Sequence, residues 1–186
     1  MGSGKMRGFV RGSPAIFSRT IQSLQKTDEN SFKFVTDCMY YQANIAERRW
    51  DHGTSHRIYN ECLSYCAKFD DRLGVCKSLR GLAKIKMEIQ NKLSADIVII
   101  LNKARNILKE YSGPFNDEYW TEMVITVRTI SDAFCERWPS LALRMCQRAL
   151  ELSQNINYSK KIGVATCRRS LATIMIRRRD FESASQ

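Results

Sequence analysis

From about residue 31 onward the chain carries few residues that would interrupt a helix, and this constrains its fold more than any other feature. Of nine glycines and three prolines, four glycines and one proline fall before residue 15. The rest of the chain reads as helix after helix, with apolar residues returning at three- and four-residue steps, the spacing that puts them on one face. Leu73, Cys76, Leu79, Leu82, Ala83 and Met87 make one such stripe, and Ile97, Leu101, Ala104 and Leu108 make another. The pattern predicts helices at about 31–50, 55–70, 72–90, 94–111, 116–136, 139–154 and 159–178, with a further one opening near Asp180. Asp51-His52-Gly53-Thr54 closes the first, Asn91 to Ser94 separates the third from the fourth, and Ser112-Gly113-Pro114 stops the fourth. Ser94 and Ser140 stand where caps or first-turn residues belong. Connections this short make consecutive helices antiparallel neighbours.

With 186 residues, 44% of them hydrophobic, the chain can bury one core or a short stack of units sharing one. Its longest aliphatic run, Ile97-Val98-Ile99-Ile100-Leu101, is far short of the roughly 20 apolar residues that span a bilayer. No transmembrane segment is expected. Seven cysteines, an odd number spread through apolar helical positions, read as reduced core residues, which points to the cytoplasm. The mitochondrion is the alternative, because residues 1–30 differ from the rest. Before Asp28 there is no acid, while Lys5, Arg7, Arg11, Arg19 and Lys26 are spread among serines, with Phe17, Ile21 and Leu24 at helical spacing. That composition resembles a mitochondrial presequence; a basic flexible leader is the plainer reading.

The helices also pair into a repeat. Small residues that let two helices approach recur at Ala43, Ala83 and Ala172 in the first helix of successive pairs. In the second helix they recur at Ser55, Ala95, Ala142 and Ala184, spaced 40, 47 and 42 residues apart. Ile130 stands where the third pair should carry a small residue, and the longest step predicts an insertion around Tyr111 to Glu118. Leu79-x-x-Leu82-Ala83 followed by Ala95-x-x-x-Ile99, and Leu171-Ala172-Thr173-Ile174 followed by Arg179-Asp180-Phe181-Glu182-Ser183-Ala184, resemble the tetratricopeptide repeat in its longer-helix form. The likeness covers about residues 34–186. It implies an all-α solenoid of antiparallel hairpins over 31–186, a superhelix whose first helices line a concave groove. A plain helical bundle is the alternative. Asp180 to Gln186 reads as a second helix left unfinished, so the repeat domain is expected to be truncated at its C-terminal end and to self-associate through that open face.

Catalytic material is sparse. His52-x3-His56 followed by Cys62-x3-Cys66 has the residue types of a zinc site. The histidines nonetheless lie at a turn, Cys62 falls at a packing position, and no CxxC supports them, so no metal or other cofactor is expected. No serine or cysteine sits in a nucleophile setting, and Asp117-Glu118 after Asn116 more simply opens a helix, where negative charge suits the dipole. The chain is not expected to be an enzyme.

Lysine and arginine outnumber aspartate and glutamate by 30 to 19, and the excess concentrates late. Lys160, Lys161, Arg168, Arg169, Arg177, Arg178 and Arg179 occur with no acid between Ser159 and Arg179. In a tetratricopeptide arrangement such residues hold an acidic or carboxylate-bearing segment of another protein through charge-assisted hydrogen bonds. Arg168 and Arg169 are adjacent and point about 100° apart, so at most one can face the groove centre. The expected function is that of a protein–protein interaction scaffold or adaptor. An RNA-binding helical repeat, in an organelle, is the alternative, although no aromatics stand among the late basic residues to stack on bases.

Overall fold

The structure, a computed structural model, describes residues 32–90, 92–155 and 160–184, with side chains as far as Asn155 and again from 164 to 178. The basic leader and its presequence-like composition lie outside the described residues. Within them the chain is all-helical: α1 Phe32–Arg48, α2 His52–Lys68, α3 Arg72–Gln90, α4 Ala95–Lys109, α5 Asp117–Phe134, α6 Pro139–Leu152 and α7 Lys160–Ala184, with a 3₁₀ turn at Ser153–Asn155.

Local chemistry sets most of the boundaries. Asp51 accepts a hydrogen bond from the Thr54 N–H at 3.0 Å, supplying one of the partners that a helix start lacks. As a result α2 begins at His52, three residues before the expected Ser55. Asn116 does the same for the Tyr119 N–H at 3.0 Å, and α5 opens with Asp117 and Glu118 at its positive end. Ser94 precedes α4 but caps it in position alone, since its hydroxyl turns to Asp96. Ser140 lies in the first turn of α6 behind Pro139. After α1 and α2 the chain reverses through left-handed residues, Trp50 at φ 61° and Asp70 at φ 52°.

The break expected near Asp180 is absent. Lys160 to Ala184 form one helix, because no glycine or proline follows Gly163. Ala184 therefore belongs to the same helix as Lys160, and no separate helix opens at Asp180 among the described residues.

Successive helices pack against each other. The bonds from Ser55 Oγ to the Ala43 carbonyl at 3.0 Å and from Cys62 Sγ to the Thr36 carbonyl at 3.6 Å run α2 antiparallel to α1. Beyond these neighbours, α1 touches α3, α3 touches α5 and α5 touches α7, so the odd-numbered helices lie side by side while α2, α4 and α6 each bridge two of them. The small residues at the contacts are only partly those expected. Ala43, Ser55, Ala83 and Ala142 are fully buried. Ala95, at the first position of α4, is exposed, and the buried Ala104 takes the close contact, its carbonyl accepting from Cys76 Sγ at 3.2 Å. Ala172 is exposed as well. In the third pair the small residue is Ser131, one position past Ile130, and its hydroxyl donates to the Ala142 carbonyl at 2.6 Å.

The core is a chain of overlapping clusters. Leu63 and Val75 join the group around Tyr59 to that around Leu79, and Trp120 and Met123 carry it on to Val124 and Cys167. Six of the seven cysteines are buried, all seven are free, and burial raises the Cys76 thiol to about 12. Gly81 lets α3 lie against α2, since a Cβ there would stand 2.4 Å from the Tyr59 ring.

Candidate functional site

Where the odd-numbered helices meet, ion pairs stand beside the apolar core. Glu118 of α5 accepts from Lys33 of α1 at 2.7 Å and from Lys77 of α3 at 3.0 Å, and Asp37 lies 3.6 Å from the same Lys77. One turn further along, Arg80 of α3 faces Glu122 of α5 at 3.0 Å, with side chains 4% and 7% exposed, and donates to the Tyr40 hydroxyl of α1 at 3.0 Å. Lys84 of α3 then pairs with Glu47 of α1. Burial pushes the Glu122 carboxyl up from its usual range, while Arg80 and Lys77 pull it down. For Glu118 burial acts in the same raising sense but loses to Lys33 and Lys77, and the carboxyl ends below its ordinary value.

The Arg80–Glu122 pair is close but poorly aligned. Arg80 Nη1 and Glu122 Oε2 are buried without a hydrogen-bond partner, the kind of unmet demand that folded proteins rarely leave at random. Beside the pair a cavity of about 260 Å³ opens between α1, α3 and α5. Tyr40 and Asn44 line it from α1, Arg80 and Lys84 from α3, and Arg128, Thr129 and Asp132 from α5, over an apolar floor that includes Tyr59, Met87 and Ile125. It is a little smaller than clefts for drug-sized molecules, which run from about 300 to 1,000 Å³, and has room for one or two side chains of a longer segment. Its charges balance, because Lys84 has Glu47, Arg80 has Glu122 and Arg128 lies near Asp132.

The next seam along, between α5 and α7, is where the late basic residues enter. Asp132 takes a hydrogen bond from Ser170; withdrawal from water raises its carboxyl, against Arg128, Arg169 and Arg177. Of the adjacent pair, Arg169 is thus the one on the Asp132 side. Arg177 reaches Glu136 at 3.3 Å and Cys135 Sγ at 2.9 Å. Arg168, Arg169 and Arg178 are exposed, whereas the side chains of Lys160, Lys161 and Arg179 lie outside the described residues. The cavity's own cations are Arg80, Lys84 and Arg128, none of which belongs to the late basic run. A signal for them exists in the sequence: Lys77, Arg80 and Lys84 recur at helical spacing on α3, and Glu118 and Glu122 on α5, charged stripes where a helix between neighbours should be apolar.

The histidine and cysteine pairs do not converge. Cys62 and Cys66, with sulfurs 3.9 Å apart, turn into the α1–α2 core; His52 faces Glu88 of α3 at 3.6 Å; His56 is exposed. Among the described residues no three His, Cys, Asp or Glu are grouped to hold a metal ion, and no helix is long and apolar enough to cross a membrane. No family model matches the chain, and no curated protein matches it.

Proposed function

We propose that this protein is an interaction scaffold: a short α-α solenoid of tetratricopeptide type that grips a segment of another protein and catalyses no reaction. The observation that carries the reading is the cavity between α1, α3 and α5, flanked by side chains able to donate and accept hydrogen bonds, with a buried guanidinium that still has a free donor. A groove built from the first helices of successive hairpins offers an extended segment several such contacts in register. Apolar contact with Met87 and Ile125 supplies affinity, and Asn44, Arg128 and Thr129 supply orientation. The basic residues of α7, Lys160, Lys161, Arg168, Arg169, Arg177, Arg178 and Arg179, extend the surface toward acidic segments. Cytoplasmic residence fits the seven free thiols; residues 1–30 keep a mitochondrial destination as the alternative.

The test is affinity capture from lysate with and without nuclease. It compares the wild type with a cavity variant, Lys84→Glu with Arg128→Glu, and an α7 variant with Arg168, Arg169, Arg177, Arg178 and Arg179 changed to Glu. Nuclease-resistant protein partners that the cavity variant loses support the scaffold reading. RNA as the main captured species, abolished by nuclease, replaces it with the RNA-binding one.

A further inference from the structure

One side of α7 is used by the fold. Cys167 and Ile174 are buried against α5 and α6, with Leu171 half-buried beside them. A helix advances about 100° per residue, so Ala165, Ala172 and Ile176 form a second stripe roughly 140–180° away from Cys167, while Met175 lies at about 80°, on the far side of Arg168. This stripe faces outward: both alanines are exposed, and Ile176 is 62% exposed. Arg168 and Arg169 stand on its two sides, both exposed. From Val164 to Arg178 the helix holds four arginines and no carboxylate; Arg177 is paired with Glu136, Arg178 is engaged as well, and Arg169 lies near Asp132.

An apolar stripe bordered on both sides by guanidinium groups has a definite complement. A helix whose own apolar stripe is bordered by carboxylates would match it. The alanines allow close approach of the second backbone, Ile176 fills the space between the two helices, and the arginines meet carboxylates in forked pairs. A lipid surface suits the stripe less well, because interfacial helices bury Leu, Phe or Trp where this one has alanines. Single-stranded nucleic acid suits it less well too, since residues 164–178 contain no aromatic side chain on which a base could stack.

We infer that the outer face of α7 docks an acidic amphipathic helix of a partner protein, packed over Ala165, Ala172 and Ile176 and held by Arg168 and Arg169. The inference rests on the scaffold reading but uses the outer face of α7, which adjoins the α1–α3–α5 cavity only where Arg169 lies near Asp132; a variant at Lys84, which pairs with Glu47 away from that edge, lets the two fail independently.

The experiment titrates the full chain into fluorescent synthetic helical peptides of about 20 residues. One has a Leu/Ala stripe flanked by Glu, the second the same stripe flanked by Lys, and the third keeps the Glu residues with Ser in place of the stripe. The Glu-flanked stripe should bind, in a salt-sensitive way, and the other two should bind at least about tenfold more weakly. Arg168→Glu with Arg169→Glu should weaken the first peptide by about tenfold or more, Ala172→Gln should weaken it without changing charge, and the cavity variant Lys84→Glu should leave it unchanged. Circular dichroism checks that each variant keeps its helix content. Equal binding of the Ser peptide would reduce the face to bare charge and overturn the inference. So would phosphatidylserine vesicles binding where no peptide does, or a dimer that Ile176→Glu dissociates. If the cavity variant alone abolishes peptide binding, the scaffold reading stands and this docking face falls.

Discussion

At the scale of single residues, two positions hold more of the structure than their chemistry suggests. Gly81 sits mid-helix, where alanine is normally favoured by about 1 kcal/mol, yet its missing Cβ is what admits the Tyr59 ring. That ring is 1% exposed, packs 5.8 Å from Tyr40 and donates to Glu47 at 3.2 Å, so it has little freedom to move aside. Gly81→Ala should therefore destabilise the protein by about 1–3 kcal/mol in chemical denaturation, the cost of overpacking winning over helix propensity. Arg80 is the other. Arg80→Met leaves Glu122 buried without its cation and should cost about 3–5 kcal/mol, while the double variant Arg80→Met with Glu122→Leu should lose less than Arg80→Met alone. If both denature at the same midpoint, the pair does not behave as a coupled buried unit. Gly81 does not stand out in the sequence, because a glycine inside a helix looks the same whether it faces solvent or a neighbour; Arg80 does so only as a member of the charged stripe with Lys77 and Lys84.

At the scale of helices, ion pairs join the odd-numbered ones beside their shared apolar clusters. Lys33 and Lys77 hold the Glu118 carboxyl below its usual value. A carboxyl depressed in the folded state contributes stability that is fully present above its unfolded value of about 4.3 and is lost as pH falls through the folded one. Glu118→Gln should thus lower stability near neutral pH and flatten the acid limb of the stability profile; a parallel acid limb in the variant would remove Glu118 from that role. Helix spans are largely legible in the sequence. α3, α4, α5 and α6 start within a residue of expectation and end within two, because caps and breakers act over three or four neighbouring residues. α2 and α7 depart from expectation for opposite reasons. Asp51 is a cap that looks in sequence like part of a closing turn, and Asp180 is a polar residue that looks like a start although no breaker accompanies it.

At the scale of the whole molecule, the clusters overlap from α1 to α7 with each helix resting mainly on its sequence neighbours. Stability in such an arrangement is a sum of neighbour terms, and opening can be local. Val35→Ala, which hollows the α1–α2–α3 cluster, should lower amide hydrogen-exchange protection in α1 and α2 well before it does so in α5 and α6. Uniform loss along the chain would instead mean one cooperative block. By itself the sequence determined the helices, their approximate limits and the buried cysteines, because each follows from periodicity and capping within a few residues. Which face meets which neighbour was decided only in three dimensions. Arg80 finds Glu122, Lys33 finds Glu118, Ser131 rather than Ile130 meets Ala142, and Ala172 turns outward. Each of these depends on how a helix is rotated about its axis against its neighbours, and a shift of one residue, about 100°, is enough to exchange an inner side chain for an outer one.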